Sequence, residues 1–372
     1  MIISTEIRGF KPFEAARFEL APLTVLTGLN GSGKTSLIQT MLLAREASMS
    51  RTPSVPLNGP FGLELGTAED VLNWESDGPI SVTITGSGGE VSEWRLGIPE
   101  EEAMYLDVVQ RPDQPLKAFG GKPRSFTYLS AERLGPRGFA ATSPLAERDL
   151  ELGEHGEFCA HVLSVLGDKP IVHVQRSHPA YTEDAPRLLK YEVEHWLSEI
   201  ARPVEISGER LAGSTLAELR FRTEGTTWVR STNMGFGVTY ALPIILAGLI
   251  AEPDGFLMVE NPEAHLHPAG QSRVGVFLAW LAGKDVQVMV ETHSDHVLNG
   301  IRRGIAEFSY LPAPNALVHW FGGFGPDAGA NRVKTLRIGE GGNVSDWPRG
   351  FFDQYQLDVA SLGRVRRKRT LP

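Results

Sequence analysis

Apolar and polar positions alternate from the start of the chain. Ile3, Ile7 and Phe10 lead to Phe13, then to Phe18, Leu20 and the run Leu23-Thr-Val-Leu26. This pattern predicts two short antiparallel strands and then a buried strand that feeds a glycine-rich loop. Residues 36–45 (SLIQTMLLAR) hold strong helix formers and no breaker, so a helix follows. Three prolines make 51–62 a loop. Residues 80–85 and 92–97 flank Gly86-Ser-Gly-Gly89 and read as a β-hairpin. A strand is predicted at 125–130, a Gly/Pro-rich loop at 134–144, helices at 157–165 and 188–200, and paired strands at 216–222 and 227–230. Beyond Met234 the period changes. An apolar helix precedes strand 256–259, helix 270–282, strand 286–291 and helix 296–304. Strand–helix–strand alternation implies an α/β fold with a mostly parallel core sheet flanked by helices. The N-terminal antiparallel strands would form a β lobe, and residues of about 50–230 a largely helical insertion. There is no internal repeat, and no heptad pattern before residue 230 that would build a coiled-coil arm.

Composition narrows this little. The chain has 372 residues, enough for one large domain or two ordinary ones, with 41% apolar and 22% charged residues. The formal net charge of −9 argues against sequence-blind coating of DNA but leaves room for a local basic groove. Cys159 is the single cysteine, so no internal disulfide forms, and a small buried apolar role suits it. The start, MIISTEIRGF, lacks the basic and apolar regions of a signal peptide. The most apolar stretch, 240–251, is too short to span a bilayer. A cytoplasmic protein with no membrane partner is the expectation.

Candidate chemistry begins at Gly28-Leu29-Asn30-Gly31-Ser32-Gly33-Lys34-Thr35, which fits G-x-x-x-x-G-K-[ST] at every fixed position. Its glycines let backbone N–H groups converge on phosphate oxygens, and the helix that starts there favours an anion at its N-terminus. Lys34 can reach the outer phosphates, and Thr35 can place its hydroxyl on Mg²⁺. Asn30, Gly31, Ser32, Gly33, Lys34, Thr35 and Ser36 are therefore the expected ATP-binding residues.

A second set of candidates lies downstream. The apolar strand ending at Glu260 is expected to run beside the loop-bearing strand and to bring a carboxylate to the Mg²⁺. The extra methylene relative to aspartate would suit contact through water, and a merely solvated acid is the alternative. His293 follows Glu260 by 33 residues, room for a helix and a strand, and would stand at the carboxyl edge of the sheet, where ligands bind. There it could bond the terminal phosphate, or simply the backbone of a helix N-terminus. His265, His267 and His296 invite a zinc reading, but no cysteine or acid completes a ligand set.

Together these motifs resemble a family. The phosphate loop is followed by Asn233-Met-Gly-Phe-Gly237, by Val-Glu260-Asn-Pro-Glu-Ala-His-Leu-His-Pro268 and by Glu291-Thr-His-Ser-Asp-His296. The order is similar to that of ABC-class bacterial ATPases related to the overcoming-lysogenisation-defect proteins and to the ATPase subunits of Septu-type phage defence. More distantly it resembles the heads of structural-maintenance-of-chromosomes and recombination-repair ATPases. Asp346-Trp-Pro-Arg-Gly-Phe-Phe-Asp-Gln354 also looks like the closing module of an uncharacterised subfamily. The resemblance implies an ATPase head over 1–305 and a C-terminal module over 306–372 that ends in the basic tail Arg364–Arg369. It implies that Asn233, Gly235 and Gly237 form a signature that caps the phosphate bound by a partner subunit, so that the working unit is an ATP-sandwiched homodimer. It also places Glu132 and Arg133 near the nucleotide; a surface ion pair is the other reading.

Two positions depart from the family pattern. The signature has no serine, and Asn261 stands where many relatives carry the glutamate that orients the attacking water. An amide cannot accept that proton. Glu263 is the substitute, unless hydrolysis is slow. The catalytic set is then Glu260, Glu263 and His293, with Thr35 and Glu260 on the metal.

The resulting expectation is an ATP-hydrolysing, nucleotide-gated switch. No clustered acids of a metal-dependent nuclease follow residue 300, so the output would come from a separate effector, a nuclease or a toxin, in anti-phage defence. The alternative is a DNA-repair clamp that binds DNA through the basic tail. A transporter subunit ranks last, because the stretch between Thr35 and Asn233 is too long and the signature serine is missing.

Overall fold

The computed structural model describes residues 1–181, 186–322 and 333–370. Two six-stranded sheets and a smaller one carry the fold. The core sheet has the order Val333–Arg337, Ala316–Phe321, Leu23–Gly28, Val286–Glu291, Gly255–Glu260, Phe126–Leu129. Its neighbours run parallel, except that Val333–Arg337 is antiparallel to Ala316–Phe321.

The central strands are buried throughout, and their alternation sends side chains to two separate cores. Leu257, Val259, Val288 and Val290 face a core that contains Trp196, Phe277, Trp280 and the helix Phe236–Ile250. Phe256, Met258 and Met289 face the other, built from the helix Lys34–Met49 and the antiparallel lobe. That helix is wedged between two sheets, which explains why its apolar residues are not confined to one stripe. On the first side the helices Pro268–Ala282 and Asp295–Ala306 cross closely at Gly275 and Gly300, where any Cβ would overlap the carbonyl of Val297 or Ser272.

The antiparallel lobe has the order Phe13–Glu19, Ile2–Phe10, Ile80–Gly86, Val91–Gly97, Tyr105–Gln110, Ser54–Pro56. The expected insertion at 50–230 is therefore not one unit. Its first part pairs with the N-terminal strand, Ile7 opposite Val82, and Phe126–Leu129 forms an edge of the core sheet. Only the part after residue 130 forms a sheet of its own, Ala140–Ala141, Glu205–Arg210, Leu216–Arg222 and Val229–Arg230, which with the helices Cys159–Leu166 and Leu189–Ile200 packs into the same core as Trp280. It is mixed rather than helical. A boundary at 305/306 would likewise cut the core sheet, because Ala316–Phe321 pairs with the phosphate-loop strand, Val318 opposite Val25. The basic tail continues a helix, Gln354–Thr370. Cys159 is buried and its thiol is pushed up by desolvation. Among the described residues no helix is long and apolar enough to cross a membrane; the stretch 240–251 lies mostly in the buried helix Phe236–Ile250.

Candidate active site at the phosphate loop

The strand Leu23–Gly28 ends in the middle of the core sheet, and its last residue must be glycine. Gly28 has φ 145°, and a Cβ there would collide with the carbonyl of Phe321 on the adjacent strand. Gly33, at φ 105°, precedes the first turn of helix Lys34–Met49. The loop between them leaves Asn30 and Gly31 exposed, while Ser32 donates back to the Leu29 carbonyl (2.6 Å).

Lys34 is almost fully buried. Its Nζ donates to the carbonyls of Leu29 (2.8 Å) and Gly28 (3.2 Å) and lies 3.9 Å from a carboxylate oxygen of Glu291. Burial pulls its pKa down and Glu291 opposes that pull. The Thr35 hydroxyl donates to Glu291 Oε2 at 3.2 Å. Burial, aided by the charge of Glu260, pushes the Glu291 carboxyl up to about 7, against Lys34 and Thr35.

This corrects the expected place of the strand that ends at Glu260. Strand Gly255–Glu260 does not run beside the phosphate-loop strand; Val286–Glu291 lies between them, Glu260 opposite Glu291. The acid against Thr35 is thus Glu291, and Glu260 stands one strand further out. Its Oε1 accepts a 2.9 Å hydrogen bond from the buried Tyr128 hydroxyl, and burial raises its pKa. Glu291 was legible as an acid ending a buried strand. Nothing local said that its strand would be the neighbour.

Glu263 reaches the same edge. Its oxygens accept from the Thr292 hydroxyl (2.7 Å) and the His293 amide (2.8 Å). The His293 Nε2 lies 4.0 Å from a carboxylate oxygen of Glu291, and burial and then the charge of Lys34 depress the pKa of the imidazole. Asn261 adopts φ 42°, its backbone N–H bonds the Glu291 carbonyl (2.8 Å), and its Oδ1 is buried without a partner among the described residues.

Arg133 is not a surface ion pair. It is 2% exposed, and its guanidinium donates to the carbonyls of Ser130 (2.8 Å), Glu260 (2.6 Å) and Asn261 (2.6 Å). Desolvation lowers its pKa to about 10. Glu132 is exposed.

Around the loop is a cleft of about 400 Å³. It is lined by residues 31–36 and by Lys11, Pro12, Asp70, Leu72 and Trp74, which sequence reasoning passed over. The donor set suits a nucleotide with a divalent cation: a glycine-bounded loop with a lysine, then a hydroxyl and a carboxylate 3.2 Å apart. Asn233, Gly235 and Gly237 do not line this cleft. They start the helix Phe236–Ile250, where Gly237 lies close to the His265 carbonyl, and Phe236 and Tyr240 pack on the His265 ring at 5.0 and 4.4 Å. His267 caps the helix Pro268–Ala282 through its Nδ1. No group of three or more His, Cys, Asp or Glu among the described residues is arranged as a metal cage.

Comparison with known proteins gives the class of the fold. Residues 5–94 match the family described as AAA domain, residues 200–298 the AAA ATPase domain, and residues 325–362 a Protein of unknown function (DUF3696). The chain is similar to P-loop ATPases. It is 22% identical over 335 residues to the OLD nuclease of Thermus scotoductus, covering 79% of this chain and 59% of that protein, so it spans little more than half the length of this relative. Among solved structures, the SMC head domain from Thermotoga maritima is 15% identical with a TM-score of 0.42, covering 86% of this chain and 94% of that one. The Smc head domain from Pyrococcus furiosus, bound to the C-terminal domain of ScpA, is 12% identical with a TM-score of 0.44, covering 98% and 99%.

Proposed function

We propose that this protein is an ABC-type ATPase head that binds Mg²⁺-ATP, hydrolyses it, and works as a nucleotide-gated homodimeric switch on a partner effector. The observation that carries the ATPase reading is the junction of Lys34, Thr35 and Glu291 at the sheet edge, with Glu260 and Glu263 behind it. Backbone amides of residues 30–36 would hold the phosphates and Lys34 would neutralise them. Thr35 and Glu291 would hold the cation, with Glu260 in support; the cation supplies charge neutralisation between the outer phosphates. Glu263 fixes the turn that presents His293 and is the proposed acceptor of the water proton, since the Asn261 amide cannot serve.

The position of the proposed signature supports the dimeric reading. Asn233, Gly235 and Gly237 are outside the cleft, so a second copy would bring them to it. Mixing two inactive variants tests this. Lys34→Ala disables the loop. Gly235→Glu blocks the signature without disturbing the fold, because no atom lies within 4 Å of a Cβ built there. Each alone should be inactive, and the mixture should recover up to about one quarter of wild-type turnover, through the one intact site of each mixed dimer. No recovery from a mixture that forms mixed dimers would refute the composite site.

The proposed effector is a separate nuclease or toxin, and the proposed setting anti-phage defence. A second reading, a DNA-binding clamp, draws on the helix Gln354–Thr370, exposed over residues 354–362, which carries Arg364 and the basic run that ends at Arg369. ATPase activity stimulated by DNA, with salt-sensitive binding lost on deleting 354–370, would favour the clamp.

A further inference from the structure

Trp74 belongs to the phosphate-loop cleft yet is 73% exposed. An indole is among the side chains that gain most from burial, so one left bare beside a ligand cleft asks for an explanation. Its backbone is not loose. Asn73, buried, donates its amide N–H to the Gly9 carbonyl (3.1 Å) and its side-chain Nδ2 to the Lys11 carbonyl (2.6 Å). Lys11 N–H in turn bonds the Val71 carbonyl (2.8 Å). Asn73 Oδ1 accepts from Glu75 N–H and the Asn73 carbonyl from Ser76 N–H, both at 3.0 Å, which folds the 73–76 turn onto the N-terminal sheet. The turn therefore presents the indole from a fixed base.

Two polar groups share this wall. Lys11 Nζ donates to Gln39 Oε1 at 2.8 Å. Asp70 Oδ2 accepts from the Thr67 amide (2.8 Å) and hydroxyl (3.0 Å), while Oδ1 accepts no hydrogen bond among the described residues. A rigid aromatic face, an ammonium and an available carboxylate oxygen, all lining the cleft that holds the phosphate loop, fit the part of a nucleotide that extends past its phosphates.

Resting on the phosphate-loop reading, we infer that Trp74 is the nucleobase platform of this site. It stacks the purine of a nucleoside triphosphate, and Asp70 Oδ1 accepts from its ribose hydroxyl or exocyclic amine. Stacking is indifferent to which purine is bound, so any preference between adenine and guanine falls to Asp70.

Binding of two probes to the full-length chain, Mg²⁺-ATP and Mg²⁺-tripolyphosphate, tests this by calorimetry. Trp74→Ala should weaken ATP by about 10- to 100-fold and leave tripolyphosphate unchanged, since only the base is lost. Trp74→Phe should restore most of the ATP affinity. The exposure of the side chain predicts an unchanged melting temperature for both variants. Lys34→Ala should lose both probes. An ATP affinity for Trp74→Ala equal to wild type overturns the platform while leaving the phosphate loop in place. Equal weakening of both probes overturns it too, since the effect would then lie in the loop. A wild type that binds neither probe removes the phosphate-loop reading and this inference with it.

Discussion

Replacing Glu291 with glutamine should make the metal-free protein more stable and its ligand response weaker. The Glu291 side chain is 7% exposed and sits beside Glu260, and its carboxyl is pushed from an ordinary 4.5 to about 7. At about 1.4 kcal/mol per tenfold change in proton affinity, ionising it in the folded chain costs about 3 kcal/mol more than in the unfolded one. The folded carboxyl holds its proton more tightly, so between pH 4.5 and 7 the native state binds more protons than the unfolded state. This group's contribution is therefore intact below pH 4.5 and is lost as pH rises through about 7. Glutamine does not titrate and can still accept the Thr35 hydroxyl. In urea titrations with EDTA, Glu291→Gln should match wild type near pH 4.5 and exceed it by up to about 3 kcal/mol at pH 8. Saturating Mg²⁺-ATP, which stabilises a binding-competent protein by about 2.7 kcal/mol at one hundred times its Kd, should lift wild type far more than the variant. A variant less stable than wild type at pH 8, or one that keeps the full Mg²⁺-ATP increment, would refute this account of the site.

Glu263→Gln should keep ATP affinity and lower turnover by at least tenfold in steady-state phosphate release; unchanged turnover would remove Glu263 as the proton acceptor. Arg133→Met should cost about 3–5 kcal/mol in urea unfolding, since buried carbonyls of Ser130, Glu260 and Asn261 lose a charged donor. Arg133→Lys should rescue little, because one ammonium lacks the fork that reaches three carbonyls.

How much was legible in the sequence depends on how local each signal is. The buried strands at Leu23, Gly255 and Val286 announce themselves as short apolar runs, and the phosphate loop as a fixed spacing of glycines, lysine and threonine. Sheet order is not local, and that is why Glu260 was expected where Glu291 stands. Ala316–Phe321 was passed over for a related reason. It carries His319 in mid-strand, a polar break whose ring bonds the Glu19 carbonyl (2.7 Å), far away in the chain, and the Thr335 hydroxyl (3.1 Å) on the next strand. Desolvation lowers the pKa of His319, which lies hydrogen-bonded in the core. Tyr105–Gln110 is weakly marked because only Leu106 is buried and Val108 half-buried, while Val109 beside them is exposed and blurs the alternation. Trp74 lay in a turn without a motif, and only the fold brings it to the phosphate loop.

The same contacts bear on how a dimeric switch would work. Arg133 grips the carbonyls of Glu260 and Asn261 and lies over the ring of Tyr240, 5.7 Å from its centroid. Tyr240 belongs to the helix Phe236–Ile250, whose first turn holds Phe236 and Gly237 against His265. His265 in turn follows Glu260 in the loop that also carries Asn261 and Glu263. The strand end at one nucleotide site is thus packed, through a buried arginine and an aromatic stack, onto the signature that the same subunit would offer to the other site. If Arg133 keeps its hydrogen bonds to Glu260 and Asn261, a shift of those residues carries its guanidinium across the Tyr240 ring and disturbs a cation–π contact to that helix. In the proposed dimer Arg133 would lie between the two half-sites of one chain, bonded to the strand end on one side and packed on Tyr240 on the other. In such a dimer, the state of one cleft biases the cap on the other, and opening would be cooperative rather than independent at each site.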